Sequence, residues 1–285
     1  MESYGFGGFF GQWIGRTLLR CRAAFPRCAW PECSAGLTGR WLPAAHGILL
    51  QQQWYCSPQC FESAARRCFA RAGNSPSPAP PVRHRLPLGL VLLSRGHVSN
   101  AQLRSALQAQ QESSGKRIGE WLEEMGFASE RQITAAVGIQ WACPVLPDSA
   151  ISPQSLRTLL PLPLLENFRM LPVHFTRERV LYVAFSEGVD YTALYTIEQA
   201  MDCRTEACLV GRSSMNSALL QLAGEPRAGD FVFERGHDDQ EMARITCGCA
   251  IKLGAHSVRI VACGDYVWAR LETSAQPANL LFRRS

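Results

Sequence analysis

No apolar run in this 285-residue sequence approaches the roughly 18 to 20 residues that cross a bilayer, so no membrane-spanning helix is expected. The first stretch, MESYGFGGFFGQWIGRTLLR, carries Glu2 early, has no basic leader before its apolar part and shows no small-residue cleavage pattern after it, so no signal peptide is expected either. Together the two absences predict a cytoplasmic chain whose thiols stay reduced. The aromatic start reads as a frayed terminus or, alternatively, as a surface that touches a membrane or a partner. Catalytic signatures are lacking as well. Nucleoside triphosphate hydrolysis needs a glycine-rich loop ending Gly-Lys-Ser/Thr, whose amides and lysine hold the phosphates; here Gly115-Lys116-Arg117 stands without the upstream glycine. There is no Gly-x-Ser-x-Gly elbow and no His-Glu-x-x-His helix. The expected protein is not an enzyme.

What is present is modest in charge and rich in apolar residues. A net charge of +5 and a pI near 8.6 suit an anionic ligand but fall well short of the clustered excess of a dedicated DNA binder. With 47% hydrophobic residues the chain can fill more than one core, and its length predicts several modules. Residues 73–81, GNSPSPAPP, are too rich in Pro, Ser and Gly to pack. A second polar break falls at residues 224–229. The expected parts are a cysteine-rich head (1–72), a linker (73–82), a tandem-repeat helical module (83–145), a mixed α/β lobe (146–225) and a tail (226–285).

Sliding the sequence against itself by 30 residues pairs Gly89 with Gly119, Leu92 with Leu122, Gly96 with Gly126, Ser99 with Ser129, Gln102 with Gln132, Ala106 with Ala136 and Gln110 with Gln140. Each copy predicts two helices. The first, residues 88–95 and then 118–125, is short and apolar and stops at a glycine able to turn left-handed, Gly96 or Gly126. Ser99 and Ser129 then open a second helix, each with a glutamine three residues on, which fits a capping box. Leu103, Ala106 and Leu107, matched by Ile133, Ala136 and Val137, form an apolar stripe at helical spacing. Such stripes ordinarily pack a core; the recurrence of Gly89, Gly119, Gln110 and Gln140 is open to packing or to ligand contact.

The pattern Arg-Leu-Gly, Leu-Val, Gly, Ile, Leu, Ala-Leu, Gln resembles the duplicated motif of the N-terminal, MshEN-type domain of type II secretion and type IV pilus assembly ATPases, which binds cyclic-di-GMP in some members. The first copy supplies Leu88, Gly89, Leu92, Leu93, Gly96, Val98, Leu103, Ala106, Leu107 and Gln110. The second supplies Arg117, Ile118, Gly119, Leu122, Gly126, Ile133, Ala136, Val137 and Gln140. Pro87 stands where the first motif has arginine, with Arg85 two residues upstream, and Glu123 and Ala128 replace larger apolar residues. The resemblance implies a cyclic-di-GMP ligand, whose two guanines, two phosphates and two-fold symmetry suit a duplicated unit. Gly89 and Gly119 would admit backbone amides to phosphate or base. Arg85 and Arg117 would make forked hydrogen bonds. Leu103, Leu107, Ile133 and Val137 would cover ring faces, Gln110 and Gln140 would read polar edges, and Glu120 would accept from a guanine amine; Leu88 and Ile118 complete the expected set.

The resemblance extends, less specifically, to the lobe, where strands are expected at 171–173, 180–185 and 206–210, a helix at 191–201 and another from Ser214; Asp190 is a further ligand contact or a helix N-cap. The tail predicts a helix at 241–253 and a hairpin at 257–262 and 266–271, and resembles a truncated second domain of those ATPases. On that helix Cys247 and Cys249 would point apart, as small buried residues rather than a redox pair.

In the head, Cys28-x4-Cys33 and Cys56-x3-Cys60 lie about 22 residues apart, and paired thiolates of this kind can close a tetrahedral structural zinc site. The stretch around Cys56 and Cys60 resembles the helix-start half of a treble-clef-type zinc finger. A head with little apolar core would gain folding energy from the metal. Four free thiols are the alternative; Cys21, Cys68 and His46 are lesser candidate ligands.

The fold expected is α+β and multidomain: a tandem helical repeat followed by a small mixed α/β lobe, with a cysteine-rich, zinc-finger-like head and a short helix-hairpin tail. The implied function is a non-enzymatic cyclic-di-GMP receptor or adaptor, its partners the cyclic dinucleotide and proteins of secretion or pilus machinery, with no specific nucleic acid. One alternative is an interaction scaffold that keeps the module but has lost the nucleotide, as Pro87 suggests. Another is a zinc-dependent nucleic-acid binder using Arg66, Arg67, Arg71, Arg83 and Arg85, residues that otherwise form a solvated face.

Overall fold

A computed structural model describes residues 27–34, 47–74, 85–113, 115–151, 156, 158–224 and 229–284. Among these residues are nine α-helices and two β-sheets, an α+β architecture. The chain divides into two compact units, one built from Met1–Ser75 and Phe231–Ser285 and the other from Pro76–Asp230. No helix among the described residues is long and apolar enough to cross a membrane.

In the first unit, β1 (Ile48–Leu50) and β2 (Gln53–Tyr55) form an antiparallel hairpin of three residues a side. Its turn residues Gln51 and Gln52 have φ of 50° and 64°, the left-handed conformation that a two-residue hairpin turn favours and that costs a non-glycine residue about 1–2 kcal/mol. α1 (Pro58–Asn74) follows. The unit resumes with β6 (Asp230–Phe233), α9 (Asp239–Lys252), β7 (Ser257–Cys263), β8 (Tyr266–Glu272) and β9 (Ala278–Arg283). All six strands join one sheet in the order β2-β1-β7-β8-β9-β6.

The head and the tail, expected as separate parts, therefore share a sheet. β1 runs parallel to β7, pairing Leu49 with Ser257 and Leu50 with Val258. Neither part has core enough alone, since a short two-stranded hairpin is marginal in water. On α1 the buried residues Cys60, Phe61, Ala64, Ala65, Phe69 and Ala72 recur at helical intervals and turn one stripe inward. That stripe lies along α9, whose own small residues Ala243, Cys247 and Ala250 are buried, and against β7. Phe69 meets Phe282 edge-on at 5.5 Å, and Phe233 stacks on the same ring at 4.7 Å. Phe69 and Phe282, both fully buried, each contribute roughly 1.5–3 kcal/mol, and the half-buried Phe233 less. Cys247 is buried and Cys249 half-buried, as two cysteines two apart on a helix must differ. α1 continues through Asn74, so the first two residues of the expected linker are helical; residues 75–82 lie outside those described. β6 and β9 had no expectation attached.

The second unit opens with the repeat: α2 (Leu88–Ser94), α3 (Asn100–Glu112), α4 (Ile118–Glu124) and α5 (Glu130–Trp141). Gly96 and Gly126 take φ of 67° and 68° and end the first helix of each copy. Ser99 and Ser129 accept from the amides of Gln102 and Gln132, whose side chains return to the serine amides at 2.8 Å in both copies. The first helix of each copy lies against the second helix of the other, α2 on α5 and α4 on α3, so the copies interlock as a pseudo-symmetric pair.

Beyond the repeat come α6 (Leu162–Phe168), β3 (Met170–Phe175), β4 (Val180–Phe185), α7 (Tyr191–Met201), β5 (Arg204–Leu209) and α8 (Arg212–Ala223). β3 pairs antiparallel with β4, and α7 carries the chain over to β5, parallel to β4. Asp190 caps α7, its carboxylate accepting from the Ala193 amide at 3.0 Å. The Leu146 amide donates to the Leu209 carbonyl and the Leu209 amide to the Pro144 carbonyl, each at 2.8 Å, so the strand edge of the lobe holds the stretch that leaves the repeat.

Candidate functional site

The recurring glutamines brace the fold. Gln110 Nε2 donates to the Lys116 carbonyl at 3.0 Å, and Gln140 Nε2 donates to the Leu86 carbonyl at 2.6 Å. Donors and acceptors are alike 30 residues apart, so the second helix of each copy holds the chain just ahead of the other copy's first helix. Each of these side-chain amides, expected to read ligand edges, gives one N–H to backbone.

The glycines are likewise filled from within. A Cβ on Gly89 would stand 2.7 Å from Leu103 Cδ1, and one on Gly119 would stand 3.1 Å from Ile133 Cγ2 and 3.3 Å from Leu88 Cδ2. At both positions a stripe side chain packs directly over the first helix, more tightly at Gly89 than at Gly119. Leu103, Ile133 and Val137 are accordingly buried, while Leu88 and Ile118 are half-buried and Leu107 is 41% exposed. Of the expected apolar contacts, only those last three reach solvent.

Charge gathers at the start of the second copy. Arg117 Nη1 lies 2.9 Å from Glu187, and Arg169 and Arg212 approach the same carboxylate at 3.8 and 3.9 Å. Arg212 also pairs with Glu120 at 2.9 Å, and Glu120 accepts from the Arg117 amide at 2.7 Å. Arg169 Nε is buried without a hydrogen bond. Glu187, Arg169 and Arg212 come from the lobe, where no repeat pattern marks them; their only sequence signal is their charge. The first copy differs in kind. Pro87, equivalent to Arg117, has no N–H, and Leu90, equivalent to Glu120, has no carboxylate to accept one. Both halves of that hydrogen bond are absent together, leaving Leu90 53% exposed. Arg85 lies with its guanidinium 3.3 Å from the centre of the Trp141 ring, a stacked cation on the far helix of the module.

A comparison with solved structures finds likeness to "MshE with cdg" at 28% identity and a TM-score of 0.42, covering 48% of this chain and 99% of that one. The N-terminal domain of XpsE is alike at 20% identity and a TM-score of 0.37, covering 47% of this chain and 92% of that domain. Each match covers just under half of this chain. No family model and no curated protein matches the chain.

The first unit holds a second constellation. The Sγ atoms of Cys28, Cys33, Cys56 and Cys60 all lie within 4.8 Å of one another, and those of Cys33 and Cys56 are 3.5 Å apart. Four thiolates about 2.3 Å from a tetrahedral zinc would have sulfurs roughly 3.8 Å apart, so the donor set fits that ion. Each donor has a defined support. The Ala29 amide donates to the Trp54 carbonyl at 2.9 Å, tying the loop of Cys28 to β2, and the Cys33 amide closes a turn onto the Trp30 carbonyl. Cys56 directly follows β2, and Cys60 sits in the first turn of α1 with its amide on Ser57 Oγ. Burial first, then hydrogen bonds with Cys33 and Cys28, push the Cys56 thiol up to about 12, so a metal must displace its proton. Cys68, half-buried, is outside the cluster; Cys21 and His46 lie outside the described residues. Arg67 stacks over Trp30 at 4.1 Å and pairs with Glu32; Arg83 is not among the described residues.

Proposed function

We propose that the second unit is a receptor module for cyclic-di-GMP and that the chain is a non-enzymatic adaptor for secretion or pilus machinery. The observation that carries the reading is the gathering of Arg117, Arg169 and Arg212 around one carboxylate at the start of the second repeat. Three forked cations sharing Glu187 are a ready receptor for phosphate, which would take over the contacts that carboxylate now makes. Arg85, stacked on Trp141, offers a flat cationic surface to a guanine. Leu88, Leu107 and Ile118 supply the apolar contacts that remain accessible, and Glu120 an acceptor for a guanine amine. Gly89, Gly119, Leu103, Ile133, Val137, Gln110 and Gln140 act behind the site, holding the two copies in register. We propose as well that Cys28, Cys33, Cys56 and Cys60 hold a structural zinc ion.

Calorimetric titration of the folded chain with cyclic-di-GMP tests the receptor reading. Saturable binding weakened at least ~10-fold in Arg117→Ala, a loss of about 1.4 kcal/mol, is expected. No heat at tens of micromolar from folded protein leaves the scaffold reading, which the paired loss of the Pro87 N–H and the Leu90 carboxylate favours.

A further inference from the structure

We infer that the four-thiolate site is a clasp for a domain made of two distant chain segments: a zinc ion bound only by residues 28–60 governs the ordering of the strands at 257–283. The inference rests on the zinc reading given above and extends it to a part of the chain that contributes no ligand. All four donors sit on the N-terminal segment, at Cys28, Cys33, Cys56 and Cys60. The elements they join are β2, the hairpin partner of β1, and α1; β1 and α1 are the elements that close the C-terminal sheet.

That closure is made at several named points. β1 adds to β7 through two residue pairs, and the turn of its hairpin reaches further: the Gln51 amide donates to the Val258 carbonyl at 3.0 Å and Gln51 Nε2 to the Ile260 carbonyl at 2.6 Å. α1 lays Phe61, Ala65 and Phe69 over the cluster that includes Val258, Ile260 and Phe282. At its far end the Gly73 carbonyl accepts from Arg284 at 2.6 Å. Without α1 and β1 the sheet would keep a meander of β7, β8 and β9 with one apolar face uncovered, and α9 would lose its neighbour.

The N-terminal segment is poorly able to hold that place unaided. Its hairpin has three residues a side and two glutamines at positive φ in the turn. The partner strands lie beyond the whole second unit, Pro76–Asp230, so the pairing also closes a long loop. A metal that locks the Cys28 loop, the end of β2 and the first turn of α1 into one piece removes most of that freedom before β1 and α1 meet the sheet.

The test uses the full chain purified with zinc. Metal content is measured, the ion is withdrawn with a chelator, and hydrogen exchange is followed in peptides covering β8 and β9, with β4 of the second unit as an internal reference. The expected result is about one zinc per chain, a rise in exchange of at least ~10-fold in β8 and β9 on chelation, and recovery when zinc is restored. Cys33→Ser should reproduce the chelated state, and Cys68→Ser, outside the cluster, should not. One zinc per chain with unchanged exchange in β8 and β9 after its removal overturns the clasp while leaving the metal site intact. Folded chain that neither carries nor takes up zinc, or cobalt with its visible tetrahedral bands, overturns the metal reading itself and the clasp with it.

Discussion

The side chain of Gln140 reaches across 54 residues of sequence to donate to the backbone carbonyl of Leu86 at 2.6 Å. Its counterpart, Gln110, makes the same bond to Lys116 across six. The chemistry is equal and the loops are not. Either alanine substitution should remove about 1 kcal/mol of stability. Gln140→Ala should cost more than Gln110→Ala, because only Gln140 closes the module from its last helix back to its start. Urea unfolding of the two variants and of the double variant measures the difference; equal losses would show that the brace acts only on the neighbouring loop.

Gly89 and Gly119 occupy matching places with unequal room. A methyl on Gly89 meets Leu103 Cδ1 at 2.7 Å, whereas one on Gly119 meets nothing closer than 3.1 Å. Alanine also gains up to about 1 kcal/mol of helix propensity over glycine. Gly119→Ala should thus be nearly neutral, and Gly89→Ala should cost about 1–2 kcal/mol, the strain of moving a packed leucine exceeding the propensity gain. Leu103→Val should relieve that cost in the double variant. A thermal-unfolding cycle over the four forms is the check, and additivity would place the strain elsewhere.

The unmatched cap of the first copy gives a reciprocal prediction. In the second copy Glu120 accepts from the Arg117 amide at 2.7 Å; in the first, Pro87 and Leu90 can make no such bond. Leu90→Glu alone should add little, because proline has no N–H to offer. Pro87→Arg alone exposes an amide without a partner. The two together should be more stable than the sum of the singles by about 0.5–1 kcal/mol, a coupling read from chemical denaturation of the four proteins.

How far the chain was legible follows from where its information is stored. The four repeat helices, their glycine stops and serine caps are local patterns: the predicted 88–95 and 118–125 are observed as Leu88–Ser94 and Ile118–Glu124, and the second helices start directly after Ser99 and Ser129. The clustering of Cys28, Cys33, Cys56 and Cys60 was legible from spacing alone. The shared sheet was not. β1 is three residues long and its partner β7 begins some 200 residues later, a parallel pairing that leaves no mark at either place. The backbone brace made by the glutamines was not legible for a related reason: a residue recurring at a fixed position is equally consistent with ligand contact and with a repeated brace, and the acceptor's position is not written in the sequence. Glu187, Arg169 and Arg212 carried no pattern, because the lobe that brings them together is not duplicated.

Cys208 in β5 gives the second unit a stability that falls in alkali. Burial chiefly, with a smaller contribution from neighbouring Cys143, pushes its thiol up to about 12 from an ordinary value near 9. Between those values the folded unit keeps a proton that the unfolded chain has lost. The sign follows: the contribution is fully present below about pH 9 and declines as pH rises toward 12, with a slope of up to about 1.4 kcal/mol per pH unit for the single thiol. Other groups titrate in this range, so the informative quantity is the difference from Cys208→Ala, which removes the thiol from a buried strand position with a small change in volume. Urea midpoints from pH 8 to 10.5 should fall more steeply in the parent than in the variant, whatever their starting offset. Parallel curves would mean that the Cys208 thiol ionises in the folded unit as readily as in the unfolded chain, and that β5 is open to water at that point.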